Sequence, residues 1–135
     1  MLGIKIKDGK QVNGGSCLID LRDVLAAIGE KVLTSRWICR DLDYSIMRDG
    51  ELYEICEQRR RLSGTEMMEF TKTIHQFFDG RFEARRDGPS KKLWLIIVVF
   101  DSSWIEVWSL NKEVIEGLKA RFQKVTDMEQ SYERK

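Results

Sequence analysis

His75 is the single histidine of the chain, so any mechanism that needs an imidazole base has to use it. A nucleophile paired with it could come from Cys17, Cys39, Cys56, Ser102 or Ser103, but none of these sits in a nucleophile elbow or a family-specific cysteine motif. Catalytic partners meet in space, and no spacing along this chain assembles a dyad; no catalytic residue is assigned. Metal chemistry has as little to work with. HExxH, CxxC and calcium-loop patterns are absent, and only a carboxylate cluster drawn from distant segments, such as Asp41, Asp43 and Asp101, could hold magnesium. Those three read more simply as solvated strand ends and an exposed strand face. Neither a metal nor a cofactor is expected.

Binding chemistry is better represented. An acidic cluster, Asp41, Asp43, Asp49, Glu51, Glu54 and Glu57, could steer a basic partner, with Glu54 and Glu57 neighbours on one helix face. A basic cluster, Arg81, Arg85, Arg86, Lys91 and Lys92, could meet phosphates or an acidic protein surface. Each also fits the ordinary charge of a solvated helix or hairpin. Trp104 and Trp108 share one strand face with Glu106, and two indoles flanking a carboxylate have the composition of an interface anchor or shallow groove. That holds if helices cover the Ile105 and Val107 face; otherwise the indoles are core.

The elements that must position these residues centre on Arg81 to Trp108. Leu93 to Phe100 is nearly all apolar, too short to span a bilayer, and bounded by Lys91-Lys92 and Asp101, which predicts a strand buried on both faces. Asp87-Gly88-Pro89-Ser90 turns the chain between it and Arg81–Arg85, and Asp101-Ser102-Ser103 turns it into Trp104–Trp108. The result is an antiparallel meander over 81–109.

Upstream, Leu2, Ile4 and Ile6 alternate with Gly3, Lys5 and Lys7, and Asp8-Gly9 predicts an edge hairpin with Lys10–Val12. Asn13 to Ser16 reads as a loop. Asp20 caps a helix with Leu21, Val24, Leu25 and Ile28 on one face, ended by Gly29. A strand follows within 36–46, with Ile38, Leu42, Tyr44 and Ile46 in phase and Asp41 and Asp43 opposite them. A helix is expected over Glu51 to Arg60. A capping box at Ser63 and Glu66 opens another, faced by Met67, Phe70, Ile74, Phe77 and Phe78 and ended by Asp79-Gly80. This pair mimics helix-turn-helix spacing, but Glu66 and Glu69 at the start of the second helix would repel a phosphate backbone. Asn111 caps the last helix, lined by Val114, Leu118, Phe122 and Val125, with a tail expected to fray from Thr126.

These elements predict an α+β fold, an antiparallel sheet made of the meander and the N-terminal strands, with about four helices packed on one face. At 135 residues the chain should form one domain. Lysine and arginine number 23 against 22 acidic residues, a net charge of +1, so nucleic acid is an unfavoured partner. An odd number of cysteines and no signal or membrane-length segment fit a cytoplasmic protein.

In format alone, a small α+β chain with an acidic helix and no catalytic signature, it resembles bacterial immunity proteins and antitoxin-like partners. That resemblance implies binding to another protein and transfers no site residues. The leading expectation is a non-enzymatic protein-binding domain. The alternatives are a small enzyme or ligand-binding protein with a pocket between sheet and helices, using His75 or the Asp101-Ser102-Ser103 turn, and a homo-oligomer joined through the tryptophan face or a sheet edge.

Overall fold

The computed structural model describes residues 1–12, 15–46, 52–53, 60–101 and 103–128, with backbone alone at 10–12, 15–18, 43–46, 52–53, 60, 75, 76 and 78. In chain order the elements are β1 (Leu2–Ile6), β2 (Gly9–Val12), β3 (Gly15–Leu18), α1 (Leu21–Ile28), a 3₁₀ turn (Gly29–Val32) and β4 (Ser35–Ile46). Then come β5 (Leu52–Tyr53), β6 (Arg60–Ser63), α2 (Gly64–Thr73), β7 (Ile74–Arg86), β8 (Leu93–Phe100), β9 (Trp104–Ser109), α3 (Lys112–Arg121) and β10 (Val125–Met128). The main sheet is antiparallel in the order β10-β1-β9-β8-β7-β4-β5, with β6 also paired to β4, while β2 and β3 form a separate ribbon.

The meander is present as β7-β8-β9. Its inward side chains, Phe82, Ala84, Leu95, Ile97, Val99, Ile105 and Val107, are buried with Ile4, Ile6, Trp37 and Cys39. Leu21, Val24 and Leu25 of α1, Met67 of α2 and Val114, Ile115 and Leu118 of α3 complete the same core, so the helices lie on one face of the sheet. Ile96 is fully buried although it lies on the other face, which accounts for the almost unbroken apolar run of β8. Between the Ala84–Leu95 and Arg85–Leu93 pairs β8 carries one extra residue, Trp94. Its indole N–H donates to Ser35 Oγ at 2.9 Å.

Caps form where short polar side chains precede apolar periodicity. Asp20 and Asp23 make a reciprocal capping box on α1, Ser63 and Glu66 do so on α2, and Asn111 Oδ1 accepts from Glu113 and Val114. Gly117 within α3 has open space where a Cβ would go. Gly117→Ala should therefore stabilise the fold by about 0.5–1 kcal/mol, read as a higher urea midpoint with an unchanged slope.

Several expectations are corrected. Three α-helices, not four, occur among the described residues. In the segment expected to be helical from Glu51, Leu52–Tyr53 and Arg60–Ser63 are strands on β4, and 54–59 lie outside the described residues. A twelve-residue β4 would otherwise expose a long row of backbone donors and acceptors on that edge.

The third predicted helix stops at Thr73, where the hydroxyls of Thr71 and Thr73 bond back to the carbonyls of Met68 and Phe70. Ile74 and Phe77 are buried from a strand instead, Phe77 edge-on to Phe82 at 5.2 Å. Gly80 does not end a helix but lies inside β7, where a Cβ would come within 2.8 Å of the Phe82 ring.

The predicted N-terminal hairpin does not form. Ile4 and Ile6, both fully buried, take β1 into the sheet between β9 and β10, and the Asp8 carboxylate accepts from the amides of Gln123 and Lys124. In β4 the inward residues are Trp37 and Cys39, with Ile38 outward; a positive φ at Asp41 (55°) marks the register shift that lets Leu42 be buried. Residues 125–128, expected at the end of the last helix and in a frayed tail, pair with β1.

Candidate functional site

The side chains opposite the helices draw the candidates together. Strand pairing lays Gly3, Trp108, Ile96, Glu83, Ile38 and Arg61 side by side across β1, β9, β8, β7, β4 and β6. Two residues along each strand, Lys5, Glu106, Val98, Arg81 and Arg40 form the adjacent row. This is the outer face.

At one corner Phe100 and Trp104 stack with ring centroids 4.7 Å apart and planes 21° apart, and Phe100 is 47% exposed. Lys5 Nζ sits 4.2 Å from the centre of the Trp104 ring, with Lys7 farther out at 5.8 Å. Glu106 accepts from both indoles, Trp104 Nε1 to Oε2 at 2.9 Å and Trp108 Nε1 to Oε1 at 3.2 Å. Alternation along β9 places all three side chains on one side, and Gly3 leaves room for the Trp108 ring, which is buried.

At the centre Glu83 is buried among arginines. Arg40 Nη2 donates to Oε1 at 3.1 Å, Arg81 Nε donates to Oε2 at 2.7 Å, and Arg85 Nη2 lies 3.9 Å away. Burial by itself would raise the carboxyl's pKa, but the hydrogen bond from Arg81 and the charges of Arg40 and Arg81 outweigh it and hold Glu83 below the ordinary glutamate value.

At the far end the β7–β8 turn closes a groove of about 370 Å³ whose charged lining is Arg36, Arg61, Arg85, Arg86 and Lys91 together with Glu66 and Asp87. The basic cluster legible in the sequence is therefore divided. Arg85, Arg86 and Lys91 reach the groove, Arg81 serves Glu83, and Lys92 is exposed beyond the turn. Arg36, Arg40, Arg61, Glu83 and Phe100 were not singled out from sequence. The Arg81-Glu83-Arg85 alternation could have flagged the central cluster, whereas Arg36 and Arg61 come to the groove only through strand register.

Of the acidic cluster, Asp41 is exposed at its bulge, and Asp43 is placed in β4 by its backbone. Asp49, Glu51, Glu54 and Glu57 lie outside the described residues, as do the His75 side chain and Ser102. The Ser103 amide donates to the Phe100 carbonyl at 2.8 Å and Ser103 Oγ to the Asp101 carbonyl at 3.2 Å, closing the β8–β9 turn, while the Asp101 amide donates to Asp79 Oδ1 of β7 at 2.8 Å. Among the described residues no three metal-ligating side chains converge, and no helix is long and apolar enough to cross a membrane. No protein-family model matches the chain, and no curated protein or solved structure matches it either.

Proposed function

We propose that the chain is a non-enzymatic protein-binding domain whose aromatic corner on the outer face docks an acidic surface of another protein. The observation that carries this is the Phe100–Trp104 stack, exposed at Phe100 and flanked by Lys5 and Lys7. Aromatic rings already held by stacking and by the bond to Glu106 lose little freedom on binding, which is how anchor residues gain affinity. The neighbouring ammonium groups favour carboxylates around the partner's apolar centre. A cytoplasmic setting, and the format shared with immunity and antitoxin-like proteins, belong to the same reading. The acidic cluster, most of which lies outside the described residues, is not used in it.

The test is a photo-crosslinking amino acid at position 100, with one at Glu116 on the exposed side of α3 as control. One heterologous adduct at position 100, absent at 116 and weakened roughly 30-fold in affinity by Trp104→Ala, is the expected result. Adducts with a second copy of the chain would favour the homo-oligomer instead. Equal labelling at 100 and 116, or none, would defeat the proposal.

A further inference from the structure

We infer that the groove at the β7–β8 end of the outer face binds a small ligand carrying adjacent phosphoryl groups. The inference rests on the groove alone and is independent of the aromatic corner.

The first observation is charge arranged against its own interest. Arg36 and Arg85 are direct cross-strand partners, a pairing of like charges that destabilises a sheet, and Arg61 lies diagonal to Arg36 on the same face. Arg86 and Lys91 close the same space from the turn. Arg85 shares Glu83 with Arg40 and Arg81, at 3.9 Å, and the other anions nearby cancel only part of the remaining charge. Asp87 reaches Arg36 at 3.4 Å, but both side chains are 69% exposed, where an ion pair contributes little. Glu66 also lines the groove, with one oxygen accepting from the Ser63 amide, and Arg36, Arg61, Arg86 and Lys91 outnumber Glu66 and Asp87 there. Among the described residues no carboxylate bridges Arg61, Arg86 or Lys91.

The second observation is shape. The groove's volume of about 370 Å³ is that of a small-molecule site, and its wall includes the apolar Ile38. Guanidinium groups bind phosphate through paired N–H donors, and several around one concavity suit a run of phosphoryl groups better than a single monoanion. A triphosphate chain, free or esterified to a nucleoside, has the matching charge density.

The experiment is calorimetric titration of the whole chain with inorganic tripolyphosphate and with a nucleoside triphosphate, at constant ionic strength and with sulfate as control. Saturable one-to-one binding of tripolyphosphate but not sulfate is expected, weakened roughly tenfold or more by Arg36→Gln combined with Arg61→Gln. Arg121→Gln on α3 should leave it unchanged. A nucleoside triphosphate that binds more tightly than tripolyphosphate identifies a nucleotide as the ligand, and equal affinity identifies the phosphate chain. Because Arg36 faces Arg85 and Arg61 lies diagonal to Arg36, the chain carrying both Arg36→Gln and Arg61→Gln should unfold no earlier than the wild type, which separates lost binding from lost fold. Absence of saturable binding up to about 10 mM, or equal weakening by Arg121→Gln, overturns the inference.

Discussion

Replacing Glu83 with alanine should lower the unfolding free energy by about 3 kcal/mol in urea titrations at neutral pH, one of the largest single-site losses on the outer face. The carboxylate is buried, while Arg40, Arg81 and Arg85 are each about one-third exposed, at 32%, 33% and 37%. Removing it takes the shared anion from three guanidinium groups that strand pairing holds together. Their partial contact with water places the loss near the lower end of the range for broken buried ion pairs. Glu83→Gln keeps the shape and an acceptor and should lose about half as much.

The same pair of proteins gives a pH signature. Glu83 has a folded pKa below the ordinary value, so its charge contributes stability that is complete above the ordinary glutamate value and is lost as pH falls through the folded one. The stability gap between wild type and Glu83→Gln should therefore be widest at neutral pH and shrink steadily in acid. A gap independent of pH would mean that the arginines do not tune this carboxylate.

How much of this was legible depended on whether a residue's role was local. The Asp20 and Asn111 caps, the termination of α1 at Gly29 and the turn at Asp87–Ser90 rest on interactions within a few residues, and they form where short-range chemistry places them. Phe70, Ile74 and Phe77 illustrate the opposite case. Their spacing suits a helical stripe, yet Ile74 and Phe77 are buried equally well from a strand, and only the pairing of β7 with β4 and β8 decides between the two. Leu2–Ile6 reads as a strand from its alternation, but its neighbours come from the far end of the chain.

The site follows the same division. That Trp104, Glu106 and Trp108 share a side is dictated by a two-residue period; that this side faces away from the helices is set by how α3 packs against β9 over Ile105 and Val107. Glu83 shows the limit most clearly. A charged residue between Phe82 and Ala84 reads as a solvent-facing position, and its burial is matched by Arg40, which β4 brings across to it, beside Arg81 and Arg85 of its own strand.

Gly3→Ala should destabilise the protein by about 2 kcal/mol, and nearly all of that loss should vanish in a Trp108→Leu background. Gly3 and Trp108 are cross-strand partners, and a Cβ at Gly3 would stand 2.3 Å from the indole Cε3 and 2.4 Å from Cζ3. No rotation of an alanine methyl relieves such an approach; the ring must move or β1 must shift. Moving the ring disturbs the bond from its Nε1 to Glu106 Oε1, leaving Trp104 to hold the carboxylate on the other side. A fault at Gly3 thus reaches the aromatic corner through Glu106, so Gly3→Ala should also weaken partner capture at position 100 more than the loss of stability alone explains. Additive losses in the two substitutions would show that the β1 backbone, not the indole, absorbs the added methyl, and that Trp108 is not what requires glycine at this position.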